Sequence, residues 1–317
     1  MGSDLPGLYL CTGKRCPDYQ RRSFPSARHG FIRFPQYADG EDFFVYRNSF
    51  RLALLPLPVL IVLRCVLKIL FISPETGFLD GAPLLPWSFR LLLCGFAVVA
   101  VFTVLRTADI GISCLRGNRV LEISGVLCAV MIFCVGVLGL LALRNPDTSV
   151  NVLPRWLRVL CHVLALASGA VLVWLSVASL SGANHTETAG IAALVPAVWQ
   201  ALYLVNRFIS FREVTTVSDH LLETLFWICA LLFWMAHARC IAGTVPNRRR
   251  AVLFALLCAL FGVPAAIGQL AALSVFGTCT GPEVSVCVLM LLTSIYAVCF
   301  ALSAAASPAA QEIPPEE

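Results

Sequence analysis

The residues best suited to chemistry lie on or beside one apolar segment, residues 215–240, which reads TTVSDHLLETLFWICALLFWMAHARC. With about 100° of rotation per residue in an α-helix, one face of this segment carries a stripe of Glu223, Trp227, Ala230, Trp234 and His237. His220 lies one turn before Glu223 on the same side. Ionisable side chains within a membrane span face the bundle interior and mark ion or proton pathways, and His changes charge near neutral pH. The stripe therefore predicts a proton-linked site.

The alternative places the same side chains at the two membrane boundaries. His220 and Glu223 are close to the start of the apolar segment, and His237 is close to its end, beside Arg239. Amphipathic side chains near a helix end can extend to the headgroup layer. On this interpretation the stripe contains no pathway.

No cofactor or metal is predicted from these residues. His220 and Glu223 have the spacing of one half of a helical metal site, but such sites need a second pair on another helix, and the chain offers none. The sequence contains no HExxH, GxSxG or Walker A motif, and no GxGxxG after a strand. An enzyme is therefore disfavoured, and no catalytic residue is assigned.

Arg64 and Lys68 are two cations four residues apart near the middle of the first apolar run. A charge facing lipid there is unfavourable, so each needs a carboxylate (Glu122 and Glu223 are the first choices), anionic lipid, water or an anionic ligand. Arg64 cannot lose its charge, so it is expected to face the bundle interior, whereas Lys68 is expected to extend to the headgroup layer. The alternative is an interfacial first segment in which both cations reach the headgroups.

Two other runs share a Val-Pro-Ala sequence followed by a Gln, in ALVPAVWQAL (193–202) and FGVPAAIGQL (261–270). Pro196 and Pro264 are expected to kink their helices, since Pro lacks the backbone donor and clashes with the preceding turn. Gln200 and Gln269 are expected to point inward, because an amide in hydrocarbon lacks partners. Corresponding interruptions can mark a transporter binding site. Alternatively, the match arises by chance, since Pro is frequent in membrane helices.

Composition sets the surroundings of these residues. The chain is 59% hydrophobic and 13% charged, with a mean hydropathy of +0.84. Soluble domains carry about 25% charged residues. So little polar surface indicates that the solvent is a lipid bilayer.

Apolar runs of about 20 residues can cross a hydrocarbon core of roughly 30 Å. Eight such runs are present: 53–72, 87–105, 120–143, 157–181, 189–209, 220–243, 250–275 and 284–305. The predicted fold class is an all-α polytopic membrane protein with about eight transmembrane helices in one bundle, over residues 51–306. Residues 1–50 form an N-terminal segment rich in Arg and aromatic residues, and 307–317 an acidic tail expected to be disordered. A six-span alternative makes 120–143 and 220–243 re-entrant.

Charge near the ends of the runs predicts orientation and partners. Residues 1–52 are rich in Lys and Arg, whereas the connector 73–86 has none, which favours cytosolic N- and C-termini in the plasma membrane. Two connectors in the middle of the chain depart from this rule and cancel. The predicted partner is the lipid bilayer, with anionic lipid at the N-terminal segment. No nucleic-acid-binding module is found, and no partner protein is identified.

Three functional interpretations fit these patterns. The leading one is a transporter-like or small-solute-binding permease, based on the kinked spans, the intramembrane cations and the stripe. The second is a membrane sensor or scaffold subunit of a larger complex. The third is a membrane-embedded enzyme acting on lipid, with His220 and the stripe supplying acid, base or ligands. A polar cavity joining Arg64, Gln200, Gln269 and Glu223 would favour the first.

Overall fold

A computed structural model describes the protein over residues 54–71, 73, 84–106, 118–144, 154–181, 187–210, 217–242, 248–277 and 281–305. These residues form nine helices and no strand. The helices are α1 (Leu57–Leu70), α2 (Leu84–Arg106), α3 (Arg119–Ala142), α4 (Arg155–Leu180), α5 (Glu187–Ala192), α6 (Val195–Ser210), α7 (Val217–Ile241), α8 (Arg248–Phe276) and α9 (Val284–Ala305). The predicted N-terminal segment and acidic tail lie outside the described residues.

The predicted fold class is confirmed, because the described chain is an all-α bundle of membrane-protein character. Seven segments are long and apolar enough to cross a membrane: α2, α3, α4, α5 together with α6, α7, α8 and α9. α1 has 14 residues; at about 1.5 Å per residue it is shorter than a hydrocarbon core of roughly 30 Å. The crossing predicted for residues 53–72 therefore stays a prediction. α3 and α7, the re-entrant segments of the six-span alternative, are continuous helices of 24 and 25 residues.

Local sequence sets several helix ends. Asn118 caps α3 by accepting a hydrogen bond from the Val120 N–H at 3.1 Å. Its amide also donates to Ser303 Oγ at 2.7 Å, which joins the start of α3 to the end of α9. α8 ends before Gly277, whose φ of 72° lies in the left-handed region that glycine adopts without steric cost.

Small residues let α3 and α4 pack closely. A Cβ at Gly169 would lie 2.8 Å from the carbonyl oxygen of Ala129, and one at Gly136 would lie 2.9 Å from Leu166 Cδ2. Glycine at a helix interface in membrane bundles allows such close backbone approach. These contacts also show that the two helices are antiparallel.

α8 lies at the centre of the bundle, where it contacts α1, α2, α7 and α9. The bundle has two ends, each named after a cation. α3 and α8 begin, and α4, α7 and α9 finish, at the Arg249 end, where Asn118 contacts Ser303. α1, α6 and α8 finish, and α7 and α9 begin, at the Lys68 end.

The two proline-containing spans differ from each other. Pro264 lies inside α8, which is one continuous helix. The kink predicted at Pro264 stays a prediction. Pro196 is the second residue of α6, and residues 193–194 form a turn between α5 and α6. Because Pro196 has no N–H, the Ala192 carbonyl lacks its usual partner four residues later. The kink predicted at Pro196 is therefore a break in the helix.

Candidate functional site

At the Lys68 end, Glu223 is the centre of a buried ion pair. Its carboxylate accepts from Arg207 Nε at 2.8 Å and from Arg207 Nη2 at 3.4 Å. Trp227 Nε1 donates to the same carboxylate at 3.3 Å. Glu223 is 1% exposed and the Arg207 side chain 26% exposed, so the pair joins α6 to α7 mostly out of contact with solvent. Arg207 thus occupies the role that the sequence considered for Arg64 or Lys68.

Lys68 is buried in the same region, and the prediction that it extends to the headgroups is wrong. The residue is 2% exposed, and its ammonium donates to Gln269 Oε1. Gln269 Nε2 in turn donates to the Pro282 carbonyl at 3.4 Å. An amide acceptor that is already held in place inside the bundle removes the reason for the ammonium to reach the membrane surface.

These groups form a charged layer, defined as Lys68, Arg207, Glu223, Gln269 and Glu283. Cys287 on α9 lies within electrostatic range of Glu223, Lys68 and Arg207, and Glu283 acts on Arg207. The layer crosses α1, α6, α7, α8 and the start of α9. It contains cations and carboxylates in equal number, so its members can neutralise one another.

The stripe on α7 faces the bundle interior, as predicted. Glu223, Trp227, Ala230 and Trp234 are each at most 1% exposed, and His237 is 7% exposed. Burial of His237 contradicts the alternative in which it extends to the headgroup layer, whereas the position of Glu223 along the membrane normal stays a prediction. Of His220 only the helical backbone is described. The stripe is nevertheless not one site, because Glu223 belongs to the charged layer and His237 to a separate group at the Arg249 end.

His237 is enclosed by aromatic rings. Its Nε2 lies 2.8 Å from the Tyr296 hydroxyl. The rings of Phe233, Trp234, Tyr296 and Phe300 are centred 5.4–5.7 Å from the imidazole. Trp234 also stacks on Tyr296, with the planes at 17°.

Glu122 is a further polar side chain at the Arg249 end. It lies in the first turn of α3, and the hydroxyls of Ser176 and Ser179 on α4 lie near its carboxylate. A Cβ at Gly125 would lie 2.7 Å from Ser176 Oγ and 3.1 Å from Tyr296 Cε2, so the serine and the tyrosine meet over this glycine. Glu122 is thus placed far from Arg64 and Lys68, the cations it was considered to pair with.

Gln200 and Gln269 are equally buried but differ in their hydrogen bonds. Gln200 is 0% and Gln269 1% exposed, which confirms the predicted inward orientation. Gln269 bonds to Lys68 and Pro282, whereas neither amide atom of Gln200 has a hydrogen-bond partner among the described residues. The two Val-Pro-Ala segments therefore do not form equivalent sites.

A cavity of about 360 Å³ lies between α1, α2, α7 and α8. Its wall is mainly apolar, with Leu67 from α1, Phe89 and Leu93 from α2, Leu222 and Leu225 from α7, and Phe261 from α8. Among the residues that the structure describes, the charged groups in the wall are Arg64 and Arg90. Gln200, Glu223 and Gln269 do not line it, so this cavity is not the polar one that would have favoured a permease.

Both arginines are held against aromatic rings. Arg64 is 4% exposed, and its Cζ lies 5.5 Å from the centre of the Phe89 ring. Arg90 Cζ lies 5.6 Å from the centre of the Trp87 ring. The positive charge of Arg90 lies close enough to repel the positive charge of Arg64. Gly268 on α8 makes room for Arg64, since a Cβ there would lie 2.7 Å from Arg64 Cγ.

Sequence reasoning missed Arg90, Arg207 and Tyr296. Both arginines lie within predicted spans, 87–105 and 189–209, so an ionisable residue inside an apolar run was a usable signal for them. Tyr296 gave no such signal, because tyrosine is common in apolar helices and its partner is 59 residues away. Within the described helices, no three His, Cys, Asp or Glu side chains cluster as a metal site requires.

Comparison with known protein families, with curated proteins and with solved structures finds no match for this chain.

Proposed function

We propose that this polytopic membrane protein binds an anionic amphiphile, a molecule with an acidic headgroup and an apolar tail, in the cavity between α1, α2, α7 and α8. The observation that carries the proposal is the pair of arginines, Arg64 and Arg90, which line the cavity together among otherwise mainly apolar described residues.

The charge argument starts from the arginines themselves. A guanidinium stays protonated in proteins, so neither Arg64 nor Arg90 can relieve their repulsion by losing a proton. Their fork of N–H donors matches carboxylate and phosphate oxygens, and such bonds are stronger than those between neutral groups. An acidic headgroup placed between them would be attracted to both.

The apolar wall favours a ligand with an apolar tail beside its acidic headgroup. The cavity volume of about 360 Å³ lies at the lower end of the range for small-molecule sites. Leucine and phenylalanine side chains favour an apolar tail, and each methylene buried there contributes about 0.8 kcal/mol. A small anion without a tail would leave this surface unfilled, and an apolar molecule without an acid would make no charged hydrogen bond to either arginine.

The proposal narrows the three interpretations of the sequence. It keeps the small-solute-binding part of the permease interpretation and assigns a ligand class to it, while passage across the membrane has no support from this cavity. It differs from the lipid-enzyme interpretation, because neither Glu223 nor His237 lines the cavity.

Binding can be measured on the purified protein in a neutral detergent, with ligands that differ only in the headgroup. Lauric acid and lysophosphatidic acid test carboxylate and phosphate, and dodecanol and lysophosphatidylcholine are the neutral and zwitterionic controls. We expect at least one acidic ligand to bind about tenfold or more tightly than its control, which corresponds to about 1.4 kcal/mol. Equal binding by all four ligands would contradict the proposal.

Variants assign the binding to the cavity. The double variant Arg64→Gln/Arg90→Gln should remove the preference for the acidic ligand and leave dodecanol binding unchanged. The matched control is Arg119→Gln, since Arg119 is an exposed arginine at the start of α3, at the Arg249 end. A preference that persists in the double variant would place the acidic ligand elsewhere.

A further inference from the structure

We infer that Glu122, Ser176, Ser179, Tyr296 and His237 form a buried proton-binding site at the Arg249 end, in which His237 takes up one proton. The site is independent of the proposed amphiphile cavity, which lies between other helix faces and shares none of these five residues. Its side chains come from four helices, so it exists only in the folded bundle.

The first step is the contact between His237 and Tyr296. At 2.8 Å, the hydroxyl and Nε2 are joined by a hydrogen bond in either of two arrangements. With a neutral imidazole, the phenol O–H donates to Nε2. When a proton adds to the Nε2 lone pair, the imidazolium N–H donates to the phenol oxygen, and the phenol hydrogen rotates away from the imidazole. The contact therefore survives proton uptake without movement of either helix.

The second step is the compensation of the added charge. Four aromatic rings surround His237, with centroids 5.4–5.7 Å from the imidazole. Glu122 supplies a negative charge that acts on Tyr296, the hydrogen-bond partner of His237. A cation within the field of a carboxylate is better stabilised than one in plain hydrocarbon.

The third step is access from solvent. Glu122 lies in the first turn of α3, and Ser179 lies in the last turn of α4. The hydroxyls of both serines lie near the Glu122 carboxylate, and Ser176 meets the Tyr296 ring over Gly125. The polar side chains therefore extend from the Arg249 end inward to His237, which is the arrangement of hydroxyl, carboxylate and imidazole groups found in proton relays.

Other titratable or charged groups at the Arg249 end affect the pH at which His237 binds a proton. Cys128 on α3 and Cys299 on α9 lie near Tyr296. Arg239 is two residues beyond His237 on α7, and Arg249 lies at the start of α8. The two arginines oppose a positive charge on His237 and Glu122 favours it, so a change at Glu122 should move the pH at which the proton binds.

Trp234 provides the readout, because it stacks on Tyr296 and meets His237 edge-on. A protonated imidazole quenches the fluorescence of an adjacent indole. We expect the emission of the purified protein in detergent to fall as the pH is lowered from about 8 to 5, the range in which His titrates. The fall should be lost in Trp234→Phe and in His237→Gln, and retained in the matched control His162→Gln.

Glu122→Gln keeps the shape and removes the charge, so it should move the midpoint of the fall to lower pH by about one unit. This variant keeps the test decisive if His237→Gln fails to fold, as judged by circular dichroism. The inference is overturned if the wild-type emission does not change with pH. It is equally overturned if the change persists in folded His237→Gln, or is the same in wild type, Trp234→Phe and Glu122→Gln.

Discussion

Arg64 and Lys68 lie one turn apart on α1 and are both buried, yet they belong to two regions with opposite properties. Lys68 belongs to the charged layer, whose cations bond to an amide and a carboxylate of neighbouring helices. Arg64 belongs to the cavity, where the second charged group is another arginine. Buried charge thus joins neighbouring helices in the first region and lines the cavity of the proposed binding site in the second.

The difference predicts that the two regions respond differently to substitution. Removing one member of a closed buried pair leaves the other charge stranded, which destabilises a protein strongly even where the pair itself contributes little. Removing a group that faces a cavity costs less stability, because a ligand or solvent can occupy the space. Stability should therefore report on the charged layer, and ligand binding on the cavity.

The largest effect is expected in the charged layer for Glu223→Leu. The substitution leaves Arg207 without its carboxylate and Trp227 without its acceptor, and it should lower the free energy of unfolding by about 3 kcal/mol. Unfolding in detergent micelles measures this, with Arg119→Leu as the control, since Arg119 is exposed and lies outside the charged layer at the start of α3. The double variant Arg207→Leu/Glu223→Leu should recover most of the loss. A single variant as stable as the control would show that the pair does not hold α6 to α7.

A smaller loss of stability is expected for Lys68→Leu, which leaves the Gln269 carbonyl without this donor, at about 2 kcal/mol. Gly281→Ala should act in the same direction, because a Cβ there would lie 2.7 Å from Gln269 Oε1. The matched control is Gly277→Ala, which shares the positive φ but has no atom within 4 Å of the added Cβ. Equal losses in the two glycine variants would show backbone strain alone, with no part for the Lys68–Gln269 contact.

The smallest effect on stability is expected for Arg64→Leu, at about 1 kcal/mol, the size of a lost cation–π contact. This differs from the sequence-based expectation, in which only Arg64 faced the bundle interior and Lys68 extended to the headgroup layer. The same variant should lose the stabilisation that an acidic amphiphile gives the wild type, whereas Lys68→Leu should keep it. A large drop in the free energy of unfolding of Arg64→Leu in the absence of ligand would show that Arg64, like Lys68, mainly stabilises the bundle.

Gly268→Ala sharpens the comparison without changing any charge. Its Cβ would displace the Arg64 side chain, so it should weaken binding of the acidic ligand and leave binding of dodecanol unchanged. Gly95→Ala on α2 is the control, because an added Cβ there meets no atom within 4 Å. Identical ligand affinities in the two glycine variants would exclude a role for the position of Arg64.

For the stripe on α7, the sequence predicts which side chains are buried but not which partners they contact. Periodicity placed Glu223 and His237 on one face, and the structure confirms that this face is buried. Periodicity did not reveal that their partners are Arg207 and Tyr296, on two different helices. Lys68 shows the same limit, since its distance from the end of the run suggested the headgroups and a glutamine 201 residues later holds it inside.

The sequence by itself determined what depends on neighbouring residues and on composition. Apolar content and run length determine a polytopic helical bundle, and each break or cap follows from a local residue, such as Pro196 or Asn118. Only the tertiary structure decided which buried charges meet each other and which face a cavity. These outcomes depend on the rotation and axial position of each helix against its neighbours, which are set by packing over the whole bundle, including the space that Gly268 and Gly125 leave for Arg64 and Tyr296.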